Sequence, residues 1–261
     1  DVTAVLGGGQ GVGGQESSVA GFGMTDPDLL ELADESPEAL YTLLEERGWG
    51  DGLPVVAPTP ERVDAALAGA HADEVIAVLP PRGGAATRRA IAVNAVLAGC
   101  PPELTPVLVT AVRALGHQQV NLRGVNATTH CVAPLLVVHG EVVRSAGYHG
   151  GLGAFGPGSR ANATTGRALR LILLHVAGAT PGDGDASTQG GPAKYGFCVA
   201  ENLEASPWTG YAASVGVDAP SAVTIHCGEA PHNVHDMESS DPTGILDKVA
   251  SAMATPAQNN A

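Results

Sequence analysis

The quartet Asn-Ala-Thr-Thr occurs twice, in "NLRGVNATTHCVAP" and in "GAFGPGSRANATTGRALRLILL", each time close to an arginine. In the second copy glycine and proline lead straight into an apolar helical pattern. Ser159, Arg160, Asn162, Thr164 and Thr165 therefore fall at a helix entrance. Such an entrance carries unpaired amides and a partial positive charge, worth about 0.3–1 kcal/mol to a nearby anion. Gly156 and Gly158 let backbone come close to a ligand, and Arg160 adds a two-pronged donor. The first copy offers Arg123, Asn126, Thr128, Thr129 and His130 ahead of a strand. A duplicated half-site would bring both quartets to one cleft, where a small carboxylate-type anion could sit. The plainer use of the same residues is to cap helices and turns.

Proton transfer needs groups poised near neutrality or held by partners. His130 lies inside the first copy, and His149, in "GYHGGLG", sits in the loop feeding the second. "KYGFCVAEN" adds Lys194, Tyr195 and Glu201. On a continuous strand the even spacing of Tyr195 and Glu201 puts both on one face, as a donor–acceptor pair or as an edge-strand ion pair. "TIHCGEAPHNVHD" collects His226, Cys227, His232, His235 and Asp236, and His226, His232 and His235 are the candidate ligands for a divalent metal. Their spacing matches no standard zinc pattern, and exposed loop histidines are the alternative. Cys100, before "PPE", is either a nucleophile at a helix start or a small core residue; Cys198 reads as packing, and Trp49 and Trp208 as pocket-lining or loop-packing residues.

The surrounding chain must hold these groups in place. It has 261 residues, enough for one large domain or two modest ones with a sizeable core. Aromatics are only 3%, so Ala, Val and Leu must build that core, while 35 glycines and 19 prolines imply many tight connections. "SPEALYTLLEERG" and "TPERVDAALAG" carry helix starts at Pro37 and Pro60, and Thr25 or Asp26 could cap an earlier short helix. "DEVIAVLPP" reads as a strand; residues 84–99 and "CPPELTPVLVTAVRALG" read as buried helices. "HCVAPLLVVHGE" reads as a strand covered on both faces, followed by a long helix over 162–177. "YGFCVAEN" and "SAVTIHCGE" are further strands, and Asp241 caps a last helix. Strands alternating with helices predict an α/β fold, a mixed sheet with helices packed on it, possibly as two similar subdomains. The expected division is a Gly-rich leader over 1–23 that contributes little to the fold, one domain over 24–255 with a possible split near 118, and a disordered tail over 256–261.

A net charge of −14 argues against a nucleic-acid partner, since phosphate binding needs a basic surface. Four scattered cysteines without a CxxC pair suit a reducing, cytoplasmic compartment. The longest apolar run, "LRLILLHVAG", is about half the roughly 20 residues of a membrane span.

The segments "DGLPVVAPTPERVDAAL", "VLPPRGGAATRRAIAVNAVLAGCPPELTPVLVTAV", "NLRGVNATTHCVAPLLVVHG", "FGPGSRANATTGRALRLILL" and "KYGFCVAENLEASPW" resemble the large C-terminal region of the bacterial UGSC-motif (seleno)protein family, over roughly residues 40–235. Family members with the redox motif carry Sec/Cys-Gly-Ser-Cys in a separate N-terminal part. This chain has no such motif, so a thiol or selenol redox role does not transfer. The resemblance implies relatedness, a bacterial source and no particular chemistry. The expected function is an enzyme that holds a small anionic metabolite with Arg123, Asn126, Ser159, Arg160, Asn162, Thr164 and Lys194. His130, His149, Tyr195 or Glu201 would move a proton in lyase or hydrolase chemistry. The alternatives are a non-catalytic subunit or accessory domain of a larger enzyme, and a metal-binding protein. A homo-oligomer or a partner subunit is expected in either case.

Overall fold

The computed structural model describes residues 3–5, 29–34 and 36–254. The chain is an α/β protein with a mixed three-stranded sheet and helices packed on it. Thr3–Val5 (β1) pairs antiparallel with Leu29–Glu31 (β2). Thr3–Val5, within the glycine-rich leader, is thus part of a ladder, and the rest of the leader lies outside the described residues. The proposed caps Thr25 and Asp26 lie outside the described residues, and the first helix starts later. Ser36 accepts a bond from the Ala39 amide and Pro37 opens Pro37–Glu46 (α1). Pro60–Leu67 (α2) follows, ending at Ala68 in the left-handed region.

Val75–Leu79 (β3) and Gly84–Thr87 (β4) form an antiparallel hairpin. The apolar run expected to be helical from residue 84 is therefore strand for its first four residues. Thr87 then caps Arg88–Leu97 (α3) by accepting from the Ala90 amide. Thr105–Leu115 (α4) and the short Leu122–Ala127 (α5) lead into Ala133–Gly140 (β5). Glu141–Ser145 (α6) and the long Arg160–His175 (α7) come next. Thr180–Pro181 (β6) and Gly184–Asp185 (β7) make one tight turn. Cys198–Ala200 (β8), Tyr211–Ser214 (α8), Ser221–Gly228 (β9) and Pro242–Met253 (α9) complete the order.

The main sheet has the order β8-β5-β9, with β8 parallel and β9 antiparallel to β5. Leu136 and Val138 of β5 are fully buried among Ala111, Leu169 and Ile172 of the helices. On the opposite face Ala133 and His139 are buried while Leu135 and Val137 are half-buried, so that side of β5 is covered less completely than the apolar run suggested. One hydrophobic core contains residues from Leu40 to Ala200 and crosses residue 118 without a break.

The two quartets do not form a repeated half-site. Asn126–Thr129 ends α5 in a turn, whereas Asn162–Thr165 is the first turn of α7. A four-residue match carries no tertiary instruction of its own, and the flanking residues decide each conformation.

Candidate functional site

The entrance of α7 is well built, and its polar groups are spent on the protein itself. The Ser159 hydroxyl accepts from the Asn162 amide, the standard N-cap bond. Asn162 is buried; its Oδ1 accepts from the His149 amide and its Nδ2 donates to the carbonyls of His149 and Ala154. Thr164 donates back to the Arg160 carbonyl, and Thr165 shares a 2.8 Å hydrogen bond with Tyr148. The exposed Arg160 donates from Nε and Nη2 to the Gly99 carbonyl, closing the end of α3. The His149 ring bonds the Leu152 carbonyl. The expected anion cradle of Ser159, Arg160, Asn162 and Thr164 is thus a loop clamp, because their side-chain donors, Arg160 Nη1 aside, bond acceptors in the chain itself.

Two turns into the same helix the situation changes. Arg167 and Arg170 are three residues apart and project on one side of α7. Arg167 grips Asp51 through Nε and Nη2, both at 2.8 Å, and also donates to the carbonyls of Leu53 and Pro54. Arg170 reaches Asp185 through Nη2 at 3.1 Å and donates the same nitrogen to the Ala179 carbonyl. Its Nε and Nη1 have no partner among the described residues. Lys194 completes the group, with Nζ 2.9 and 2.8 Å from the two oxygens of Asp185. Asp185 is held in place by the β6–β7 turn and by its own Oδ1, which accepts the Ser187 amide.

The Asp185 side chain is only 3% exposed. Burial works to raise its pKa, but Lys194, the Ser187 amide and Arg170 outweigh it and hold the carboxyl below the usual range. Asp51 behaves alike: burial opposes ionisation and Arg167 overrides it. Burial lowers the Arg170 pKa while Asp185 raises it, and a guanidinium remains charged across the working range. Two cations therefore face one carboxylate, which leaves one positive charge in excess.

These residues line a cleft of about 700 Å³, whose polar wall comprises Asp51, Arg170, Asp185, Gln189, Lys194 and Tyr195. The remaining wall is the glycine-rich segment from Ser187 to Pro192 together with Gly50, Leu174 and Pro181. Asn126 lies beside Arg170 and Lys194 in a small adjoining pocket, and its carbonyl accepts the Ala186 amide at 2.8 Å. The Thr129 carbonyl likewise takes the amide and hydroxyl of Thr188. The first quartet thus borders the cleft, as the brace of its loop. Arg123, by contrast, is exposed on α5 without a bond among the described residues.

Tyr195 and Glu201 do not share a strand face. β8 begins only at Cys198, after the 3-10 turn Pro192–Lys194, so the period-two rule does not reach Tyr195. Tyr195 stands at the cleft rim, 57% exposed. Glu201 points elsewhere: its Oε2 lies 2.7 Å from Nδ1 of the buried His139, whose Nε2 is 2.9 Å from the Thr224 hydroxyl. His130 pairs with Glu229 at 2.9 Å.

The histidine set His226, His232 and His235 does not converge. His226 is exposed on β9 and the other two on the following loop. Among the described residues no group of three or more His, Cys, Asp or Glu could hold a metal ion. Asp236 instead binds Lys248 and the amides of Glu238 and Ser239. Cys100 is buried, and burial pushes its thiol up to about 11; Cys198 is also pushed up by burial. Neither is a ready nucleophile. Trp208 is 80% exposed, while the Trp49 carbonyl accepts from His175 at 2.7 Å, fixing the segment that carries Asp51.

Sequence reasoning missed Arg170, Asp185, Asp51 and His139. The first two had one visible signal: an arginine on the α7 flank, and an aspartate in "PGDGDASTQGGPAK" only nine residues before Lys194. Comparison with family models, curated proteins and solved structures found no match to this chain. No helix among the described residues is long and apolar enough to cross a membrane.

Proposed function

We propose that the chain is an enzyme that binds a small carboxylate-type metabolite in the cleft between α7 and the 182–195 loop. Acid/base chemistry of the lyase or hydrolase type would follow there. The observation that carries this reading is the pair of cations, Arg170 and Lys194, that face the single carboxylate of Asp185 at the cleft, with Arg170 Nε and Nη1 unpartnered among the described residues. A half-buried guanidinium with two nitrogens unpartnered, next to an ammonium, favours an anion that accepts charge-assisted bonds from both groups. The chain's overall negative charge opposes such a ligand at long range, so affinity must come from these short contacts. Tyr195, whose hydroxyl-bearing side chain is exposed at the rim, is the group placed to give or take a proton. The motifs shared with the UGSC-motif region include the helix bearing Arg170 and the strand following Lys194. On this reading the cleft is a feature of that kinship.

Titration with a panel of mono- and dicarboxylates tests it. Arg170→Ala is expected to weaken binding at least tenfold, about 1.4 kcal/mol, while Arg160→Ala leaves it unchanged. Wild-type affinity in Arg170→Ala would overturn the reading.

A second reading, a chain that works as a subunit of an assembly, is favoured by the apolar residues left in solvent. Trp208, Met237 and Leu246 are 80%, 83% and 64% exposed, and α9 buries none of its residues. Light scattering on the purified chain separates a monomer from a self-assembled form.

A further inference from the structure

Glu201, His139 and Thr224 form a hydrogen-bonded line at the far end of β5 from the cleft, and nothing in the proposed function uses it. Glu201 Oε2 is 2.7 Å from His139 Nδ1, and His139 Nε2 is 2.9 Å from Thr224 Oγ1. The roles of the two ring nitrogens follow from the partners. Glu201 is ionised, its pKa lowered by the Tyr211 amide and by His139 against the opposing effect of burial. A carboxylate only accepts, so Nδ1 carries the proton and donates it. Nε2 is then left with a lone pair facing the Thr224 hydroxyl, which must donate. This is the arrangement by which a base activates a hydroxyl nucleophile.

The rest of the fold holds the line rigidly. The Tyr211 amide donates to the other Glu201 oxygen at 2.7 Å, and the Tyr211 ring stacks on the imidazole at 6.0 Å. His139 is 3% exposed, so its tautomer is protected from water. Thr224 is only half-buried, on edge strand β9 opposite Val137. His139 and Glu201 stand at the carboxyl ends of the parallel pair β5 and β8, where α/β sheets most often bind ligands.

We infer that Thr224 is a nucleophile toward small acyl esters, with His139 as its general base and Glu201 as the positioning residue. Thr224 Oγ attacks the acyl carbon while its proton passes to His139 Nε2. The bond from that carbon to the alcohol oxygen breaks, and the alcohol leaves with the proton. Water then attacks the acyl-threonine, giving one proton to His139, which returns it to Thr224 as the acid departs. No redox partner is needed. Thr224 is half-buried, which favours a small acyl group over a bulky one. This inference is independent of the cleft.

The probe is p-nitrophenyl acetate with the full chain, reading nitrophenolate release and the acetylated peptide by mass spectrometry. Acetyl on the peptide bearing Thr224 is expected. Thr224→Ser should keep the reaction, and Thr224→Val, which matches the shape, should lose at least a hundredfold in rate. Glu201→Gln should lower the acylation rate at least tenfold with KM unchanged, which loss of fold would not do. Exposed His226 also faces solvent on β9 and is the rival acceptor. Acetyl on His226, or full activity in Thr224→Val, overturns the inference.

Discussion

Arg167 and Arg170 stand three residues apart on α7 and divide two carboxylates unequally between them. Arg167 uses every nitrogen on Asp51 and the neighbouring carbonyls, while Arg170, a cleft-lining residue, touches Asp185 with Nη2 alone and has no partner for Nε or Nη1 among the described residues. The same residue type on the same helix flank is a strut in one case and an open donor in the other.

That inequality predicts different costs of removal. Arg167→Ala strands Asp51, whose side chain is 5% exposed, and should destabilise the fold by about 3–5 kcal/mol, as for other broken buried pairs. Arg170→Ala leaves Asp185 with Lys194, so its cost in urea unfolding should be clearly smaller. Equal losses would refute the division of labour.

Acid should reveal both carboxylates. Asp51 and Asp185 have pKa values below their ordinary 3.8 in the folded chain, so the unfolded chain takes up protons first as pH falls. Their contribution is complete above that ordinary value and is lost as pH drops through the folded values. Denaturant titrations at stepped pH should show a shallower acid limb for Asp51→Asn and Asp185→Asn than for wild type, from a lower neutral-pH stability.

Gly166 sits where α7 meets the segment after Lys194. A Cβ there would lie 2.8 Å from the Phe197 amide nitrogen and 3.1 Å from the Gly196 carbonyl carbon. These are backbone atoms and cannot swing aside. Gly166→Ala should cost about 1–3 kcal/mol and weaken carboxylate binding as well, since the displaced segment carries Lys194. A change in stability with intact binding would show that the segment moves without its lysine.

The thiols should report burial directly. Cys100 and Cys198 are buried with raised pKa values, whereas Cys131 is half-exposed. Native-state labelling with a thiol reagent at neutral pH should modify Cys131 well before the other two, and unfolding should release them. Early labelling of Cys100 would restore it as a reactive candidate.

How much of this could be seen in advance varies from residue to residue. The caps at Ser36 and Asp241 and the apolar pattern of α7 are local facts, and α1, α7 and α9 lie within a few residues of their expected places. Lys194 lines the cleft, and Asn126 lines the small pocket beside it. Arg160 was picked for its setting, but nothing near it in the chain revealed that the Gly99 carbonyl, 61 residues away in sequence, would take its donors.

Local order settled most of which stretches coil and which extend, because caps, spacing and turn residues act within one or two turns, but the hairpin partner β3 drew residues 84–87 into a strand. The pairing of polar groups was decided by tertiary structure: Arg170 with Asp185, Arg167 with Asp51, and His139 with both Glu201 and Thr224. A buried donor or acceptor must find a partner or pay for its lost water. Which partner it meets depends on strand register and on where a loop returns. Those are properties of the assembled chain, and no window of the sequence contains them.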